Sequence, residues 1–169
     1  DSFTTKKEMP YYAFYGLFME STTLHNASDL RLPAITLSEG CYTLMFYGCI
    51  SLETAPELPA TTLGDFCYSY MFGDCISLVN APSVLPATTL TDFCYESMFD
   101  GCKSLVTVPS ILSATTLTNY CYYYMFYGCS SLVNAPELPA TTLTSGCYYG
   151  MFNGCTKLVT GPSILNAIV

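Results

Sequence analysis

Hydrophobic positions along this chain recur in nine-residue blocks of the form Cys-Tyr-x-x-Met-Phe-x-x-Cys, beginning at Cys41, Cys67, Cys94, Cys121 and Cys147. More polar positions follow each block, around a constant leucine (Leu52, Leu78, Leu105, Leu132, Leu158) that predicts an inward side chain. In the copy after Cys75, the alternation of Leu78 and Asn80 against Val79 and Ala81 predicts a short strand. A proline at the same place in every copy (Pro56, Pro82, Pro109, Pro136, Pro162) closes it, because proline cannot donate to a ladder. Next comes Leu-Pro-Ala-Thr-Thr-Leu or a variant, starting at Leu32, Leu58, Leu85, Leu112 and Leu138; its paired threonines favour extended backbone. Within the block, Cys94, Met98 and Cys102 recur at i, i+4 and i+8, which predicts a short helix or an irregular segment. Gly101 would end it in a left-handed turn, as would Gly48, Gly128 and Gly154. Asp74 holds the same place in the one copy whose glycine comes a residue early, at Gly73.

Successive blocks start 26, 27, 27 and 26 residues apart. A fixed period of this size predicts a repeat solenoid, in which each coil packs on its neighbours alone. About six coils are expected, with short strands on one face and short helical or irregular segments on the other. Residues 11–32 read as a degenerate capping coil: Phe14, Leu17, Phe18 and Leu24 align with Tyr42, Met45, Phe46 and Leu52, while Ala13 and Ser21 take the cysteine positions. The solenoid proper covers 33–169 and stops inside a repeat, which predicts an uncapped C-terminal end. Residues 1–10 read as a tail.

Composition narrows the function. Hydrophobic residues make up 51% of the 169-residue chain and charged residues 11%, with a net charge of -8. Nucleic-acid binding needs clustered Lys and Arg, and there are five basic residues in all. No apolar run is long enough to span a bilayer. Cofactors are not expected. Zinc sites favour closer cysteine pairs with further partners, and the single histidine, His25, has no nucleophile motif around it. No Asp-x-Asp-x-Asp run suggests calcium. Asp65 and Asp92, with Asn119 and Ser145 as equivalents, read as turn or helix caps. No metal or catalytic residues are assigned.

The pair Met-Phe-x-Gly-Cys-x-Ser-Leu and Ala-Pro-x-Leu-Pro-Ala-Thr-Thr-Leu resembles the BspA-like leucine-rich repeat family over residues 13–169. This chain departs from the usual family pattern by carrying Met for an alanine (Met45, Met71, Met98, Met125, Met151) and a cysteine for an isoleucine. The resemblance implies a curved right-handed leucine-rich-repeat superhelix with a strand-lined face. It also implies a secreted or cell-surface bacterial protein used in adhesion, with no catalytic residues to carry over.

Ten cysteines form five Cys-x7-Cys pairs: Cys41 with Cys49, Cys67 with Cys75, Cys94 with Cys102, Cys121 with Cys129, and Cys147 with Cys155. In an exported protein an even count at fixed spacing points to disulfides. Both cysteines are present in every full repeat and both are missing from the degenerate one, which favours bridges over two ladders of buried thiols. Each bridge would contribute about 2.5 kcal/mol in the chain-entropy picture.

Tyr42, Tyr68, Tyr95, Tyr122 and Tyr148 follow the first cysteine of every block and predict a packed aromatic row. Tyr47, Tyr70, Tyr123, Tyr124, Tyr127 and Tyr149 occupy positions where other repeats carry Gly, Ser, Glu, Asp, Asn, Leu or Thr, so packing does not demand an aromatic there. They are expected to be exposed and to form the ligand-binding surface for a protein or glycan. The expectation is therefore a non-enzymatic extracellular recognition or adhesion module. The alternative is a spacer or assembly module that self-associates end to end through its C-terminus.

Overall fold

The structure is a computed structural model, and it describes residues 7–163 and 165. Each repeat forms one layer that hydrogen-bonds to its neighbouring layers. The described residues are mostly non-helical, with few paired strands and no closed barrel.

The nine-residue blocks set the pattern, and the expected helix is not what they form. In the block from Cys67 to Cys75, Ser69, Met71, Gly73 and Cys75 each donate an N–H to the carbonyl three residues back. Tyr68, Tyr70, Phe72 and Asp74 instead donate to Cys94, Glu96, Met98 and Asp100 of the following layer. Alternate residues thus close tight turns and tie layers together, and no i to i−4 ladder remains. Every fourth residue is left-handed: Phe66, Tyr70 and Asp74 have φ of 55°, 51° and 55°. Such a residue cannot continue an α-helix. A four-residue turn period gives the same i, i+4, i+8 recurrence that a helical face gives, which is why the sequence pattern was ambiguous. The expected left-handed glycines are present, with φ of 68°, 71°, 69° and 81° at Gly48, Gly101, Gly128 and Gly154.

Two of every four block residues point inward. Cys, Tyr, Met, Phe and Cys are buried in the blocks starting at Cys41, Cys67, Cys94 and Cys121, and the constant leucines join them. Tyr42, Tyr68, Tyr95, Tyr122 and Tyr148 stack at 5.5–5.8 Å between ring centres, as expected. A parallel column runs from Phe46 to Phe152. Phe14 and Phe18 of residues 11–32 extend both columns, at 5.8 and 5.2 Å from Tyr42 and Phe46.

Strand pairing is sparse. Among the described residues the one two-stranded sheet pairs β1 (Glu8–Met9) with β2 (Thr36–Leu37) in parallel. Residues 7–10 are therefore no tail: Met9 is buried, and Lys7 accepts from Ile35 and Thr36. Residues 1–6, the rest of the expected tail, lie outside the described residues, as does most of the end segment 164–169. The expected strand after Leu78 shrinks to a single parallel pairing of Asn80 with Thr54 and Thr107. Leu78 donates its N–H to Cys75 in a turn, so alternation fails there: Leu78 and Ala81 are buried, while Val79 and Asn80 face out.

The cysteines correct a second expectation. All ten are free thiols, from Cys41 to Cys155, and no Cys-x7-Cys bridge forms. The second cysteine of each block donates its S–H to a phenylalanine carbonyl of the preceding layer: Cys49 to Phe18, Cys75 to Phe46, Cys102 to Phe72, Cys129 to Phe99 and Cys155 to Phe126, at 3.0–3.2 Å. A small buried donor at that place explains why the residue recurs without a bridge.

Candidate aromatic interaction surface

Left-handed backbone determines how the outer aromatics lie. A side chain at such a position leans over the next layer and occupies the space where a Cβ would otherwise stand. A Cβ on Gly40 would meet the Tyr12 ring at 2.3 Å, one on Gly146 the Tyr120 ring at 2.4 Å, and one on Gly150 the Tyr124 ring at 2.0 Å. Where the next layer carries an aromatic instead, the rings stack: Phe66 on Phe93 at 4.7 Å and Phe93 on Tyr120 at 4.9 Å.

Four of the six sequence-predicted tyrosines come together. Tyr123 lies 4.3 Å from Tyr124 and stacks on Tyr149 at 5.4 Å. Tyr124 meets Tyr127 and Tyr149 edge-on at 5.0 and 5.5 Å. Tyr149 is 60% and Tyr127 40% exposed, while Tyr123 and Tyr124 are half-buried between them. Partial loss of water and, after it, hydrogen bonding to Tyr123 push the pKa of Tyr124 up to about 12. The hydroxyl is thus a neutral donor at physiological pH.

Tyr47 and Tyr70 form a separate edge-on pair at 6.3 Å. Tyr47 donates its hydroxyl to the Asp74 carboxylate at 3.0 Å and is half-buried. Beside that carboxylate, half-buried Asp100 has its pKa raised to about 6, first by loss of water and then by the Asp74 charge.

Sequence reasoning missed Tyr120, Phe93 and Phe66. They precede the first cysteine, where Gly40 and Gly146 are the equivalents. The mixture of glycine and aromatic at one position was the available signal. Together these rings extend the tyrosine cluster into a continuous outer aromatic band, since Tyr120 meets Tyr123 edge-on at 5.6 Å.

Asp65 and Asp92 do not cap helices. The Asp65 carboxylate accepts the Asp92 N–H at 3.1 Å, and Asp92 accepts the Asn119 N–H at 2.9 Å, so both tie layers together. Glu57 and Glu137, in the shorter connections, accept from Ser83 and Ser163 in the longer connections one layer on, with hydroxyl distances of 3.0 and 2.8 Å.

A hollow of about 600 Å³ is lined by residues including Asp29, Arg31, Leu32 and Glu57, with neither histidine nor cysteine among its walls. No cluster of three or more His, Cys, Asp or Glu residues suited to a metal occurs among the described residues. No described helix is long and apolar enough to cross a membrane. No protein-family model, curated protein or solved structure matches this chain.

Proposed function

We propose that this chain is a non-enzymatic recognition module, a right-handed leucine-rich-repeat solenoid of the BspA-like kind, which binds a host protein, matrix component or glycan at a cell surface or after secretion. The solenoid reading is supported by layer-to-layer hydrogen bonds at a constant sequence offset and by aromatic columns that run through all layers. The extracellular setting rests on the family resemblance; the free thiols remove the support that bridges would have lent it.

One observation carries the recognition reading: Tyr120, Tyr123, Tyr124, Tyr127 and Tyr149 converge on one outer patch that the repeat frame does not require. At the places of Tyr123, Tyr124, Tyr127 and Tyr149 other layers fold with residues as different as glycine, serine, threonine, leucine, glutamate and aspartate. Flat rings that carry hydroxyls give apolar area and directed hydrogen bonds at low entropic cost.

The test is binding of the chain to a panel of immobilised glycans and extracellular-matrix proteins, compared with Tyr127→Ala/Tyr149→Ala. These are the most exposed members of the patch, so the fold should persist. Binding that weakens at least tenfold in the double variant supports the patch. Binding to every identified partner at unchanged affinity would overturn it.

A further inference from the structure

Charge on the aromatic band has one sign. The four segments that carry the band, 64–75, 91–102, 118–129 and 144–155, hold five acidic residues (Asp65, Asp74, Asp92, Glu96 and Asp100) and no Lys, Arg or His. The hydrogen bonds to these carboxylates come from neutral groups. Asp65 and Asp92 accept backbone N–H groups of the next layer, Asp74 accepts the Tyr47 hydroxyl at 3.0 Å, and Glu96 accepts the Ser69 hydroxyl at 3.0 Å. Such bonds orient a carboxylate without cancelling its charge.

Two of the five adjoin the tyrosine cluster. Glu96 and Asp100 occupy the block places that Tyr123 and Tyr127 occupy one layer on. The two layers are joined by N–H groups of Ser97 and Gly101 donating to the carbonyls of Tyr123 and Tyr127, so equivalent places stand about 4.8 Å apart along the stack. Both carboxylates are half-buried, where salt screens a charge less than it does in open solvent. Ring faces and uncompensated negative charge therefore lie side by side.

That combination selects among ligands. A ring face attracts a cation, and a neighbouring carboxylate supplies the counter-charge. A sulfated or sialylated glycan would be repelled, and a neutral one would leave the carboxylates uncompensated. A bare metal ion is disfavoured, because no three His, Cys, Asp or Glu residues suited to one converge among the described residues. A guanidinium meets both demands: it is planar, stacks on aromatic rings, and offers two parallel N–H donors to one carboxylate.

We infer, resting on the recognition reading of the tyrosine patch, that its partner is an arginine-bearing segment of another protein, whose guanidinium groups pack on the exposed tyrosine rings and pair with Glu96 and Asp100.

Fluorescence anisotropy with a labelled peptide of four Arg-Gly repeats is the test, at about 150 mM salt so that long-range attraction is screened. A second peptide carries citrulline, which is uncharged and of similar shape, at each arginine. The expected result is saturable binding of the arginine peptide, with the citrulline peptide at least tenfold weaker. Glu96→Gln/Asp100→Asn and Tyr127→Ala/Tyr149→Ala should each weaken arginine binding at least tenfold, with folding checked by circular dichroism. The amide exchanges keep side-chain size, and the citrulline comparison needs no variant at all. No binding of the arginine peptide, equal binding of the two peptides, or unchanged affinity in either double variant overturns the inference. The patch itself is judged by the glycan and matrix panel: panel binding that falls in Tyr127→Ala/Tyr149→Ala, without arginine binding, keeps the patch and removes its cationic partner.

Discussion

Ser97 combines two local costs at one residue. Its φ is 48°, in the region that favours glycine, and its fully buried hydroxyl has no hydrogen-bond partner. Left-handed backbone costs an L-residue about 1–2 kcal/mol, and an orphaned buried hydroxyl adds desolvation. Ser97→Gly should therefore stabilise the chain by about 1 kcal/mol or more, read as a rise in the urea midpoint with unchanged slope. A lower midpoint would mean that the hydroxyl has a role the packing does not reveal. Asp100 gives a pH signature. Its folded pKa of about 6 lies above the ordinary 3.8, so the fold favours the protonated form. Its contribution is fully present below the ordinary value and is lost as pH rises through about 6. Melting temperature should fall across that window in the wild type and fall less in Asp100→Asn. Identical pH profiles for the two proteins would show that Asp100 ionises freely.

Coupling between layers operates through glycine and the aromatic above it. Gly40 has φ of 60°, and its missing Cβ leaves room for the Tyr12 ring. Gly40→Ala should cost about 2 kcal/mol, of which the left-handed backbone accounts for about half. In a Tyr12→Ala background the steric part vanishes, so the same substitution should cost about 1 kcal/mol less. Equal costs in the two backgrounds would place the penalty wholly in the backbone. This pairing also explains what the sequence did and did not disclose. The repeat, the inward Tyr column and the left-handed glycines were legible because each recurs at a fixed position. The turn conformation of Cys67–Cys75 was not, because a four-residue turn period and a helical face place the same residues inward. The joint presence of both cysteines in every full repeat favours bridges in the sequence but is also compatible with two ladders of buried thiols, and only the S–H contacts to the preceding layer distinguish them. In the aromatic band, Tyr123, Tyr124, Tyr127 and Tyr149 could be found as departures from the repeat. Phe66 and Phe93 show in the sequence only as a position that mixes glycine with aromatics, and their role depends on which residue sits one layer away.

Across the whole molecule, the thiols measure how tightly the layers close. Burial raises the pKa of Cys41 and Cys121 to about 12 and that of Cys155 to about 11. Cys67, Cys102 and Cys129 are pushed well above the ordinary value, again by burial first. The thiolate is the nucleophile, so a thiol with a pKa near 12 reacts about a thousandfold more slowly at pH 8 than a free cysteine with a pKa near 8.5. Alkylation of the native chain at that pH should thus be slow, with Cys155, the only cysteine that is not fully buried, ahead of Cys41. In denaturant without reductant, intact mass should show ten added groups, because all ten cysteines are free. Five bridges would show none, and would mean that the S–H contacts to the phenylalanine carbonyls give way to cross-links in the oxidised protein. Because each layer is held by its neighbours, native-state labelling should also rank with position: the layer carrying Cys147 and Cys155 has a neighbour on one side among the described residues, whereas that of Cys94 and Cys102 has one on both. Opening a terminal layer breaks one interface and opening an inner layer breaks two. Mass mapping of partly labelled chains should accordingly find alkyl groups at Cys155 before Cys102, and uniform labelling across layers would indicate that the stack opens as a single unit.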